Sequence, residues 1–173
     1  MQVEPAPGLE LLEYAAEGLR RRLGVDTLSV SCVRVRERAL RTLVNTGVLG
    51  PGEQRRPAAE HYPFDTFPAA AALMAHRRPY LFGSGVSGDL ASASLEVKLE
   101  KTSQAAVPLL VGGRVWGELW VASTRGGLAL EVGELPLISW AGRRFGAMVE
   151  EMLGDGMLLD AAPPNPSERV VLE

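Results

Sequence analysis

The chain has 173 residues, 46% of them hydrophobic and 23% charged, a globular balance that excludes a disordered chain and suffices for one domain with a buried core. The net charge of −3 gives no basic footprint for nucleic acid, and no stretch approaches the roughly 18 apolar residues of a membrane helix. A single cysteine, Cys32, excludes an intramolecular disulfide and a Cys-rich zinc site. The first residues carry neither a basic n-region nor an apolar h-region, so a cytoplasmic protein is expected.

Leu9, Leu12, Ala16, Leu19 and Leu23 recur at alternating spacings of three and four, which predicts a helix over Pro7–Leu23. Gly24 follows Arg20–Arg22, the order expected at a helix C-terminus. From Thr27 to Val35, Leu28, Val30 and Cys32 alternate with Thr27, Ser29 and Ser31, the pattern of a half-buried strand. Ala39–Asn45 fits as its hairpin partner, and residues 46–57, rich in glycine and proline, read as loop.

Asp65-Thr66-Phe67-Pro68 opens a second helix, with Asp65 or Thr66 as cap and Pro68 in the first turn; it ends before Arg78-Pro79. Tyr80–Phe82 is a short strand and Gly83–Ser94 a glycine/serine loop. Leu95–Lys101 fits strand by alternation and helix by composition. Gln104–Val111 and Val115–Ser123 flank Gly112-Gly113, a hairpin signature. Alternation puts Trp116, Glu118 and Trp120 on one face of the second strand, facing either a pocket or covering helices. Ile138, Ala141, Phe145, Met148 and Met152 mark a long helix over Glu134–Leu153, and residues 154–173 read as linker or disordered tail. The final Leu-Glu has the look of a cloning remnant.

Two stretches then carry a resemblance. Residues 105–123, Ala-Ala-Val-Pro-Leu-Leu-Val-Gly-Gly-Arg-Val-Trp-Gly-Glu-Leu-Trp-Val-Ala-Ser, resemble the central hairpin of the GAF domain family, sensory domains of bacterial signalling proteins. Met74–Phe82 is similar to that family's helix-to-strand step, and Leu135–Leu153 to its last helix. The resemblance covers residues 8–153. It implies an α+β fold with a central antiparallel sheet, terminal helices on one face and a ligand pocket with its roof on the other. The roof would be the Asp65–Arg77 helix and the Gly83–Ser103 segment. Pocket candidates are His61, Phe64, Leu73, Tyr80, Phe82 and Trp120.

The subclasses of that family make separate demands. In many members a bilin needs a thioether cysteine in the pocket region, whereas Cys32 lies in the first strand. The methionine sulfoxide reductases use several cysteines, and the cyclic-nucleotide signature Asn-Lys…Phe…Asp-Glu is missing. His61 and His76 are the available haem ligands, each also readable as a surface or helix-end histidine. Gly83–Asp89 lacks the Gly-Lys-Ser/Thr ending of a phosphate loop. Trp116, Glu118 and Trp120 together would make an aromatic wall with a carboxylate for a cationic or amide ligand. No nucleophile–base set is present in the sequence pattern.

The sequence therefore predicts a non-catalytic sensory or regulatory domain with no metal and no cofactor, leaving room for an unidentified small ligand. It predicts a homodimer through the first and last helices, with an effector domain or partner protein as its output, and no direct contact with nucleic acid or membrane. The other reading is a dimerisation module with a vestigial pocket.

Overall fold

The computed structural model describes residues 7–83, 88–124 and 126–158. In chain order these form α1 (Pro7–Leu23), β1 (Thr27–Arg34), β2 (Ala39–Gly47), β3 (His61–Pro63), α2 (Pro68–His76), β4 (Tyr80–Gly83), α3 (Leu90–Lys98), β5 (Lys101–Val111), β6 (Arg114–Thr124) and α4 (Leu135–Gly154). The strands make one antiparallel sheet in the order β3-β2-β1-β6-β5-β4. The long hairpin β5–β6 turns at Gly112-Gly113, whose φ values of 56° and 74° are the left-handed geometry that a two-residue turn of this kind requires.

The sheet is covered on both faces. On one side, Leu28, Val30 and Cys32 of β1 and Val107, Leu119 and Val121 of β5 and β6 pack against α1 and α4. Leu12 and Ala16 of α1 and Ile138, Phe145 and Val149 of α4 close this core. Helix α4 approaches β5 closely because two glycines face it: a Cβ on Gly146 would stand 2.7 Å from the Leu110 carbonyl, and one on Gly142 2.6 Å from Val107 Cγ2. On the other side, Leu40, Phe64, Leu73, Ala106 and Trp120 form a smaller core beneath α2.

Two of the sheet's three register shifts, the third lying between Lys101 and Ser103, set the faces of large core residues against the alternation on which a sequence reading depends. β1 pairs Val30 with Val44 and Ser31 with Thr42, so Leu43 is the extra residue of β2. β5 pairs Leu109 with Gly117 and Leu110 with Val115, so Trp116 is the extra residue of β6. A bulge sets neighbouring residues toward the same face. Leu43 joins Val44 in the helix-side core, and Trp116 turns to that side too, away from Glu118 and Trp120. The expectation that both tryptophans share a face with Glu118 is thereby corrected.

Other local expectations also change. Residues 90–94 are not loop: they begin α3, where the Asp89 side chain accepts a hydrogen bond from the Ser92 N–H at 2.8 Å. Leu95–Lys98 is helix, with Leu99 and Glu100 in the turn before β5. Neither Asp65 nor Thr66 caps α2; Phe67 stands at the N-cap without a side-chain bond, and Pro68 starts the helix. Beyond α4, Leu158 is buried in the main core and the Met157 carbonyl lies against Gly8. The expected tail lies otherwise outside the described residues, as do positions 84–87 of the glycine/serine segment.

Candidate functional site

All but the last residue of β1 are buried, including its polar half. Ser29 and Ser31 do not face solvent; they face a cavity between the sheet and α2, α3 and the segment that precedes β3. The floor is completed by Thr42 of β2, Gln104 of β5 and Glu118 and Trp120 of β6. Tyr62 and Tyr80 stand at the two sides of the sheet, while Phe67, Ala70, Ser92 and Leu95 supply the roof. Glu53 and Glu60 close one wall. The open space is about 30 Å³, room for about two waters where one needs roughly 10–15 Å³. A surface recess of about 230 Å³ adjoins it and shares Glu53, Glu60, Tyr62 and Leu95, so these residues form the wall between the two.

Most polar groups of the cavity are tied to one another. The Trp120 indole N–H donates to Gln104 Oε1 at 2.9 Å, and Gln104 Nε2 donates to the Ser92 carbonyl at 3.1 Å, joining β6 to α3. Ser29 Oγ donates to Asn45 Oδ1, and Asn45 Nδ2 donates to the Gln54 carbonyl at 2.9 Å and to Glu60 Oε2 at 3.0 Å. The Tyr62 hydroxyl donates to Glu60 Oε1 at 2.9 Å. Glu53 is neutralised by the buried Lys101, 3.1 Å away, whose ammonium also donates to Thr27 Oγ1 at 2.9 Å and the Val48 carbonyl at 2.8 Å.

Glu118 is the exception. Its side chain lies in the centre of the sheet and the residue is 5% exposed. Its cross-strand neighbours are Ser31 on β1 and Pro108 on β5, a hydroxyl-bearing residue and a ring, neither of them a cation. Oε2 has no hydrogen-bond partner among the described residues. Burial pushes the carboxyl up to about 8 from an ordinary value of 4.5, so at neutral pH it is mostly protonated. Burial likewise raises Tyr80, with the Glu118 carboxylate adding to the effect, and raises Tyr62, with Glu60 adding. Lysine, arginine and histidine do not occur among the described residues lining the cavity.

Of the six pocket candidates read from the sequence, the structure brings Tyr80 and Trp120 to the cavity wall. Phe64 and Leu73 are buried in the adjoining core rather than at the wall. Phe82 stacks on Tyr80 with ring centroids 4.8 Å apart. His61 is exposed on β3, its Nε2 3.0 Å from Glu37, and belongs to the outer recess; His76 is exposed at the end of α2. The polar floor is hidden in the sequence because Thr-x-Ser-x-Ser looks like a wet strand face. A central strand of a sheet covered on both sides has no wet face, so hydroxyls in it must serve a cavity or one another. Cys32 lies on the opposite face, and burial raises its thiol.

No protein-family model matches the chain, and no curated protein matches it in sequence. Solved structures do match it in fold. A phycoerythrobilin-bound GAF domain from a cyanobacterial phytochrome superposes with a TM-score of 0.69 at 10% identity, covering 87% of this chain and 89% of that one. A GAF domain/HD domain protein from Geobacter sulfurreducens gives 0.60 at 16% identity, covering 88% and 97%. Residues 122 to 287 of a methyl-accepting chemotaxis protein give 0.63 at 17% identity, covering 87% and 93%. The fold is that of GAF domains, a curled antiparallel sheet with helices on both faces. Two further structures of this fold hold phycocyanobilin and biliverdin IXa. The expectation of no cofactor is corrected by these neighbours, because structures sharing this architecture carry a prosthetic group.

Proposed function

We propose that this domain is a cytoplasmic, non-catalytic sensor of a bacterial signalling or transcription-control system, binding a small ligand in the cavity over β1 and β6. The observation that carries the reading is Glu118, a carboxyl held in the middle of a sheet with one oxygen unpartnered among the described residues. A purely structural domain gains nothing from it, since burying an unsatisfied polar group costs about 1–3 kcal/mol. Neighbours of the same fold include a GAF/HD protein and a chemotaxis protein, which agrees with a regulatory role.

The neighbours' bilins do not fit the residues here. Pockets for ligands of that size run to roughly 300–1,000 Å³, whereas this cavity is about 30 Å³. Cys32, the one thiol, is buried beneath α1 and α4 instead. Ligand chemistry of another kind is called for.

The ligand signal has a route to the opposite face. Strand β6 presents Glu118 and Trp120 to the cavity and Leu119 and Val121 to the helix core, so a shift of this strand is felt by α1 and α4. Those helices leave Leu11, Tyr14, Leu137 and Trp140 exposed by 42%, 80%, 53% and 54%. The surplus apolar surface supports a homodimer through α1 and α4, which would hand the shift to an effector. Thermal-shift and native-mass screening against a chemically diverse panel tests the reading. A compound that binds wild type and is lost on filling the cavity with Ser31→Leu supports it. Binding of no compound, together with an intact dimer, would leave a dimerisation module instead.

A further inference from the structure

Resting on that reading, we infer that the cavity selects a primary alkylammonium, with the ammonium head against Glu118 and the alkyl tail directed past Glu60 and Tyr62 into the outer recess. Three features define the class. The first is charge. Glu53 is matched by Lys101 at 3.1 Å, but among the described residues Glu118 has no cation opposite it across the sheet, and no basic residue lines the cavity. The second is the wall. Tyr62, Tyr80 and Trp120 present aromatic surface around the same space, which favours a cation over an anion. The third is the floor. Ser31 and Thr42, whose hydroxyls stand 3.3 Å apart, offer acceptor oxygens beside Glu118 for a head with several N–H donors. A quaternary ammonium has no such donors. With room for about two waters, the chamber takes the head alone, and the recess of about 230 Å³ beyond Glu60 and Tyr62 takes the remainder.

Binding is coupled to a proton. In the free domain Glu118 holds its proton at neutral pH. The incoming ammonium stabilises the carboxylate, and the proton leaves to solvent. No bond other than this O–H breaks. The titratable groups lining the cavity with Glu118 are Tyr80 from β4, Tyr62 from β3, and Glu53 and Glu60 from the wall; Lys101 of β5 is held by Glu53, and Glu96 of α3, raised by burial, lies toward Gln104, while Phe67, Ala70, Ser92 and Leu95 carry no charge. Both phenols are raised, so they stay neutral through the range in which Glu118 titrates.

Isothermal calorimetry of the full chain with methylammonium, n-butylammonium, tetramethylammonium, n-butanol and butyrate tests this. The expected result is binding of n-butylammonium, with affinity rising about tenfold per pH unit between pH 6 and 7.5 and flattening above pH 8. Buffers of different ionisation enthalpy should show close to one proton released at pH 6.5. Methylammonium should bind more weakly, tetramethylammonium at least tenfold more weakly, and n-butanol and butyrate not at all. E118Q should lose at least tenfold at pH 8 and all of the pH dependence. The wild-type proton count stands without the variant should E118Q fail to fold. Preference for butanol or butyrate, or amine binding without proton release, overturns the cation assignment. If a compound of another class then fills the cavity, the sensory reading survives; if nothing in the wider panel binds, that reading falls as well.

Discussion

Replacing Glu118 by glutamine removes a titrating group from the buried face of β6 while keeping its shape. In the folded chain the carboxyl sits near 8, against 4.5 when unfolded, because burial disfavours its charged form. Between those values the folded state holds a proton that the unfolded state has released. Stability contributed by this group is therefore fully present below pH 4.5 and is lost as pH rises through 8. At 1.36 kcal/mol per pH unit, the loss between pH 5 and 9 comes to about 4 kcal/mol, a large part of a typical domain's 5–15 kcal/mol. Glutamine does not titrate, so E118Q should lack this slope. Urea unfolding at pH 5, 7 and 9, followed by circular dichroism, gives the comparison. E118Q should gain steadily on wild type as pH rises. Parallel curves, differing by less than about 1 kcal/mol between pH 5 and 9, would mean that bulk solvent or a counter-charge reaches Glu118 and that its carboxyl is not buried in the folded chain.

Lys101→Met should cost about 3–5 kcal/mol in the same assay, because it strands the buried Glu53 carboxylate; a loss below 1 kcal/mol would show that the pair is solvated. Trp120→Phe removes the donor to Gln104 and should cost about 1–3 kcal/mol at constant m-value, whereas a neutral effect would deny that the Trp120–Gln104–Ser92 chain holds α3 down. Gly146→Ala places a methyl 2.7 Å from the Leu110 carbonyl and should destabilise by about 1–3 kcal/mol. Sedimentation velocity at micromolar concentration should give a dimer that Leu11→Glu and Trp140→Glu dissociate. A wild-type monomer contradicts the proposed assembly, and a dimer that survives both substitutions locates the interface elsewhere.

The elements legible in the sequence were those whose pattern has one cause. The stripe Leu12–Ala16–Leu19 reads as helix because a single core lies on one side of α1, and Gly112-Gly113 reads as a turn because both positions need positive φ. Helix α3 was hidden because it has almost no apolar stripe: Leu90 and Val97 are 88% and 80% exposed, and Ser92 is its buried contact. Strand β3, three residues long and bearing the exposed His61, is too short to show a period. The face of Trp116 could not be read because the bulge lies in how β6 pairs with β5, which the alternation within one strand does not show. Glu118 reads from the sequence as a carboxylate between two tryptophans, facing either a pocket or covering helices, and nothing within the strand decides between the two. Only the order β1-β6-β5, with helices on both sides, makes its position interior.

The three tryptophans permit one direct measurement of ligand sensing. Trp120 lines the cavity, Trp116 is buried in the helix-side core, and Trp140 is 54% exposed on α4. Their indole N–H signals in a ¹⁵N-correlated NMR spectrum, assigned by single Trp→Phe replacements, report on the three places at once. Titration with n-butylammonium, or with whichever panel compound stabilises the domain most, should shift the Trp120 signal first and farthest. The Trp140 signal should follow with the same midpoint as the helices respond. A shift of Trp140 with Trp120 unmoved would place the ligand on the outer helix face and contradict a sensory cavity over β6.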